Sequence, residues 1–231
     1  MLFIQKFYLI ISMVVMVGCG YVSTTTKAVD IREFAPAAEL VADSAATMKG
    51  ARTAVFAGGC FWGVEAVFEN VKGVTDVRSG YTGGDAKSAN YDDVSDGDTL
   101  HAEAVFVTYD PTKITYVQLL TVFFSVAHNP TEVNRQGPDS GTQYRSAIFY
   151  GDDDQKKVAE SYIEAINKSK AYPKPVATQI GPLDKFYDAE TYHQDFLLKN
   201  ATHPYIVAHD LPKLADLKTR FPDLYVEKKK V

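Results

Sequence analysis

From residue 53 onward the chain switches between two hydrophobic periods, and the switches mark its elements. Residues 53–57 form a short apolar run closed by Gly58 and Gly59. Phe61, Val64, Val67, Phe68 and Val71 then recur at helical spacing until Gly73 ends the element. Residues 74–80 read as a second strand and the glycine-rich 81–85 as a loop. Over 102–109 the period is two, with Glu103, Val105 and Val107 on one face and Ala102, Ala104 and Phe106 on the other. Tyr116, Leu119, Leu120, Phe123 and Ala127 return to helical spacing. A polar loop over 129–142 precedes a strand over 144–150. Asp152, Asp153 and Asp154 cap a helix that turns Ala159, Tyr162, Ile163 and Ile166 inward, the acids complementing its positive end. A strand over 176–180 and helices over 191–200 and 211–220 complete the pattern. The mixed order predicts an α+β fold, a two-layer sandwich with helices laid on a small mixed sheet.

The first fifty residues behave differently. One positive charge at Lys6 precedes an apolar run over 7–17, too short to span a bilayer and of the length of an export signal. Met16-Val17-Gly18-Cys19 resembles a bacterial lipoprotein box, with Met16 in place of the usual leucine. That resemblance implies removal of 1–18 as a signal peptide, a lipid on Cys19, and a chain anchored to a membrane of the cell envelope on the periplasmic side. A plain secretion signal or an uncleaved anchor is the alternative. Residues 19–50 read as a linker, with a short amphipathic helix over 37–46 as the other reading. The catalytic domain is expected over 51–225, and 226–231 as a basic tail whose Lys228, Lys229 and Lys230 are solvated.

Composition narrows the function. At 231 residues, 46% hydrophobic and 23% charged, the chain has the make-up of one globular domain with an appendage. A formal charge of -5 with no basic stripe argues against nucleic-acid binding. The five histidines make no HExxH pair and the two cysteines no CxxC, so no metal and no cofactor are expected. If lipid occupies Cys19, Cys60 has no partner for a disulfide.

Cys60 falls at a strand-to-helix turn in Gly58-Gly59-Cys60-Phe61-Trp62-Gly63. A helix N-terminus favours thiolate, and the glycines leave the sulfur approachable. Judged on the cysteine alone, a small hydrophobic filler is the commoner role at such a place. Glu103 shares a face with Val105 and Val107; buried there, it would hold a proton to deliver at neutral pH. At a strand end it would instead lean into solvent. Phenols of Tyr91 and Tyr144 are candidate donors to a developing oxyanion.

Five segments in order, GCFWG at 59–63, GYTGG at 80–84, HAEAV at 101–105, GTQYRS at 141–146 and YHQ at 192–194, resemble the peptide methionine sulfoxide reductase A family. The resemblance implies an α+β two-layer fold and thiol-dependent reduction of methionine-S-sulfoxide, free or in proteins. Carried over by position, Cys60 is the nucleophile and Glu103 the acid that protonates the sulfoxide oxygen. Tyr91 and Tyr144 are hydrogen-bonding tyrosines, Asp139 the acidic residue of the loop before Tyr144, and Phe61 and Trp62 the pocket for the substrate methyl. Leu100 stands where the family commonly has glycine, and no cysteine follows Cys60 to resolve a sulfenic acid internally. An external reductant is therefore expected, a thioredoxin-like or glutaredoxin-like protein or a small thiol, acting on a monomer. The competing readings are a cysteine hydrolase or acyltransferase with His101 or His193 as base, and a lipid-anchored binding module without catalysis.

Overall fold

In the computed structural model, which describes residues 52–228, the alternating segment becomes the middle of a six-stranded sheet. Its strands are β1 (Arg52–Gly58), β2 (Val74–Thr82), β3 (Ala102–Tyr109), β6 (Ser146–Tyr150), β7 (Gln179–Pro182) and β8 (Phe186–Asp188). The order is β7-β6-β1-β3-β2-β8, and every pairing is antiparallel except that of β6 with β7. β4 (Arg135–Gln136) and β5 (Asp139–Ser140) form a separate small hairpin.

The period of two decides what each face meets. Ala54, Phe56, Val105, Val107 and Ile148 belong to the larger core, shared with α1 (Phe61–Glu69), α3 (Tyr116–Val122) and α4 (Asp153–Ser169). Val55, Ala57, Ala102, Ala104, Ala147 and Phe149 turn to the opposite face, against Phe106, Leu183 and Phe186. Phe56 stacks between Phe68 and Phe123, at centroid distances of 5.0 and 4.9 Å. Truncating a ring so enclosed to alanine costs about 3–5 kcal/mol through lost transfer energy and the cavity left behind. Helix starts follow local chemistry. Thr115 and Gln118 form a reciprocal capping box on α3, and Asp152 accepts the Gln155 N–H at the start of α4. The α+β expectation holds.

Several boundaries differ from those read in the sequence. The strand expected over 144–150 begins at Ser146, because Thr142–Tyr144 coils into a 3-10 turn that seats Gln143 in the interior, its Nε2 donating to the Ser95 carbonyl. The helix expected over 191–200 shrinks to α5 (Phe196–Lys199). Asp195 adopts φ +53 there, and Gln194 serves β2 instead, accepting from the Ser79 N–H and donating to the Ser79 and Ala189 carbonyls. The edge strand falls at Gln179–Pro182 rather than 176–180. Tyr91 opens a short helix, α2 (Tyr91–Ser95), between the glycine-rich loop and β3, a stretch to which the pattern assigns no element. π-turns at Phe123–Ala127 and Ile206–Asp210 follow α3 and lead into α6 (Leu211–Arg220).

The C-terminal tail is a further correction. Lys228 is not simply solvated: its ammonium is half-buried and paired with Glu69 and with Asp195, and its N–H donates to Asn70 Oδ1. Glu69 is buried on α1 and draws the lysine in. Among the described residues no helix is long and apolar enough to cross a membrane. The expected signal, Cys19 and the linker lie outside the described residues.

Candidate active site

β1 runs straight into the site. At its end Gly59 takes φ +89, and the Gln136 side chain lies 2.5 Å from where a Cβ would stand, so both backbone and space demand glycine. The turn sets Cys60 as the N-cap of α1, with the residue partly exposed. The Trp62 N–H reaches the sulfur, but it does not win. Burial pushes the thiol well above its ordinary pKa; the charges of Glu103 and Asp210 push the same way, against the Trp62 N–H and Lys213. The help toward thiolate expected from the helix N-terminus is therefore outweighed, and the shift runs upward. Desolvation and two acids outweigh the end of a nine-residue helix.

Glu103 is 2% exposed, as its alternation with Val105 and Val107 requires. Its Oε2 accepts the Phe61 N–H at 3.0 Å, so acid and thiol attach to neighbouring amides of one helix turn. Burial raises its pKa to about 8; the Phe61 N–H pulls it down and Asp139 pushes it up. At neutral pH this carboxyl carries its proton, and the solvent-facing alternative is excluded.

The remaining predicted groups converge on the same place. Burial raises the pKa of both Tyr91 and Tyr144, and the charges of Glu103, Cys60 and Asp139 act on each in the same direction. Both phenols stay protonated and available as donors. Asp139, on β5, accepts a 2.5 Å hydrogen bond from the Tyr205 hydroxyl, whose pKa is raised by burial and by the nearby Cys60. Tyr205 is not legible in the sequence, being one tyrosine of 14 on a segment with no period of its own.

Trp62 forms one wall. Its indole stacks on Phe196 at 3.7 Å and 7°, with Tyr205 edge-on at 5.9 Å. Its Nε1–H donates to His193 Nδ1 at 2.9 Å. Burial lowers the His193 pKa against the pull of Glu190, so the ring is neutral, with its proton on Nε2. Glu190 in turn accepts from the Tyr81 hydroxyl and the Tyr91 N–H, both at 2.9 Å. His193 Nε2 stays 3.9 Å from Glu190 Oε2 without a hydrogen bond, but the backbone N–H of His193 donates to the Glu190 carbonyl at 2.9 Å, and through that turn Trp62 is tied to Tyr91. The Phe61 ring is buried between Tyr81 and His193 and forms a floor rather than an open wall. The His101 Nε2–H donates to the Asp85 carbonyl at 2.8 Å, which commits that nitrogen away from the sulfur.

The family profile described as Peptide methionine sulfoxide reductase matches residues 52–224, the stretch that carries all of these groups. The chain belongs to that family. The reductase is 61% identical over 179 residues to "Peptide methionine sulfoxide reductase MsrA 2" of Mesorhizobium japonicum, covering 78% of this chain and 92% of the relative. It is 52% identical over 177 residues to the Synechocystis protein of the same name, covering 77% and 83%. Its fold is similar to that of the Saccharomyces cerevisiae protein Mxr1 in reduced form, with TM-score 0.59, 38% identity, and 66% and 87% of the two chains covered. "Methionine sulfoxide reductase A of Corynebacterium diphtheriae" is likewise similar, with TM-score 0.59, 33% identity, and 68% and 79% covered. The reductase is an oxidoreductase. Leu100, its departure before His101, is 77% exposed, while its carbonyl accepts from Arg145 Nη2 at 2.9 Å. The side chain points away from Glu103.

Proposed function

We propose that the protein reduces the S epimer of methionine sulfoxide, free or in exported proteins, through a sulfenic acid at Cys60. The observation that carries the reading is the buried Glu103 carboxyl bound to the amide next to Cys60, where burial raises its pKa to about 8. Sulfoxide sulfur is a poor electrophile until its oxygen is protonated, so an acid and a nucleophile must act on the two atoms of one S=O bond. Glu103 gives its proton to that oxygen while Tyr91 and Tyr144 donate hydrogen bonds to it. The Cys60 sulfur attacks the substrate sulfur, and its own proton goes to the Glu103 carboxylate. Collapse releases the thioether methionine and leaves Cys60–S–OH. The substrate methyl rests on Trp62 over the floor formed by Phe61.

Return to the thiol needs two external thiols. The first displaces water from Cys60–S–OH and forms a mixed disulfide; the second releases a disulfide and restores Cys60. What supports an external donor is that Cys60 is the last cysteine in the sequence. We read the donor as a thioredoxin-like or glutaredoxin-like protein or a small thiol. The N-terminal pattern supports export and attachment through a lipid on Cys19, with the enzyme repairing oxidised proteins of the cell envelope.

Turnover of the separated sulfoxide epimers with dithiothreitol tests the reading. Reduction of the S epimer is expected, and activity confined to the R epimer would overturn it. A sulfenic-acid reagent should label Cys60 after one turnover without reductant; a Cys19–Cys60 disulfide in the mature protein would defeat the external-thiol step.

A further inference from the structure

Asp210 is an acid beside Cys60 that neither the sequence pattern nor the reaction above employs. It is 0% exposed at the end of the π-turn before α6. Its Oδ1 lies 3.3 Å from Lys213 Nζ. Apart from that ion pair, neither carboxyl oxygen has a hydrogen-bond partner among the described residues. The pair is pressed on the first turn of α1. A Cβ at Gly63 would sit 2.0 Å from Asp210 Oδ1 and 2.7 Å from Lys213 Nζ, so glycine at 63 is what lets the carboxyl in.

That placement has an electrostatic consequence. The N-terminus of a helix carries roughly half a positive charge, and an anion near it is stabilised. Here the carboxyl of Asp210 and the sulfur of Cys60 share one such end. An ionised Asp210 spends the field that would otherwise favour thiolate, and adds its own repulsion. We propose that Asp210 is a positioning residue for the reductase reaction, seated by Gly63 and Lys213 beneath the first turn of α1, where it keeps the Cys60 sulfur protonated in the resting enzyme. Lys213 sets how strong that brake is by partly neutralising it. The brake suits a thiol with no partner cysteine among the described residues: a thiolate at Cys60 would be open to alkylation and peroxide, while the thiol waits for a substrate whose oxygen Glu103 can protonate.

Several other groups face Cys60 and bear on the same titration. They are Glu103 from β3, Tyr91 from α2, Tyr144 from the 3-10 turn and Tyr205 from the π-turn segment; Asp139 on β5 acts on them and on Asp210, and His209 acts on Asp210. The test therefore changes Asp210 and Lys213 and leaves the rest in place.

The proposal rests on Cys60 being the reacting thiol, and its readout is separate from sulfoxide turnover. The rate of iodoacetamide alkylation at Cys60, read by mass spectrometry between pH 6 and 11, reports the thiolate directly: the sulfur forms a bond to carbon and iodide leaves. Asp210→Asn is expected to move the midpoint of this profile down by about one pH unit, near tenfold faster alkylation at pH 7. Lys213→Met is expected to move it up. If Asp210→Asn does not fold, the Lys213→Met arm decides. Midpoints that stay with the wild type, or an Asp210→Asn midpoint that rises, would overturn the role of Asp210. A shifted midpoint in an enzyme that reduces neither sulfoxide epimer would instead overturn the proposed function and leave the brake standing.

Discussion

Glu103 shows at the scale of one residue how far a side chain's chemistry depends on what surrounds it. A carboxyl on a solvated strand end is ionised at neutral pH; here burial holds its pKa at about 8 even though the Phe61 N–H pulls the other way. For the proposed step, Glu103→Gln is expected to lower kcat by about 10²–10⁴ with little change in KM, the range for losing a general acid. The same residue sets a pH limb. Single-turnover reduction by the wild type should fall as pH rises through about 8, where Glu103 loses its proton. In Glu103→Gln that limb should vanish, and a limb that persists would assign it to another group. Cys60 teaches the converse lesson. Its place at a helix N-terminus is legible in the sequence, but the acids beside it come from β3 and the π-turn, so the direction of its shift is a matter of distant neighbours.

Among the elements, α1 carries the most constraint. Its first turn offers amides to both Glu103 and the Cys60 sulfur, receives Asp210 against Gly63, and presents Trp62 to Phe196. Gly63→Ala should cost about 1–3 kcal/mol by overpacking, because the atoms it meets are a buried carboxyl and its partner ammonium. Thermal unfolding would show the loss, and alkylation of Cys60 should change with it because Asp210 must move. An unchanged melting temperature would mean that the turn relaxes freely. Strands and long helices are readable from periodicity, since β3 and α4 bury one face along their whole length. Short elements are not. α2 and the 3-10 turn are held by single side chains, Asn90 and Gln143, and Gln194 before α5 bonds β2 rather than the helix, so no period announces them.

For the molecule as a whole, two buried acids on the sheet-facing helix and strand make stability depend on pH. Glu65 is 1% exposed on α1 and burial raises its pKa to about 7, with Lys228 of the C-terminal segment pulling it down. A carboxyl whose folded pKa is raised stabilises fully below its unfolded value and loses that contribution as pH rises through the folded one. The unfolding free energy should therefore fall between about pH 4.5 and 7, by about 3 kcal/mol more than in Glu65→Gln. Glu103 extends the same trend through about pH 8. Denaturant unfolding at pH 5 and 8 would measure it, and equal slopes in wild type and Glu65→Gln would sink it.

The sequence by itself determined the fold class, the alternation that turns Glu103 inward, the turn that carries Cys60, and the family, because periodicity and motif spacing are local properties of the chain. It also brought Tyr91, Tyr144 and Asp139 forward, although only through the family resemblance. The tertiary structure alone decided that Tyr205 binds Asp139, that His193 and Glu190 tie Trp62 to Tyr91, that Lys228 closes on α1, and that Asp210 shares the helix end with Cys60. Each of those contacts joins residues far apart in the chain. Their energies depend on burial and on through-space charge, and neither quantity exists until the sheet and α1 have brought the segments together.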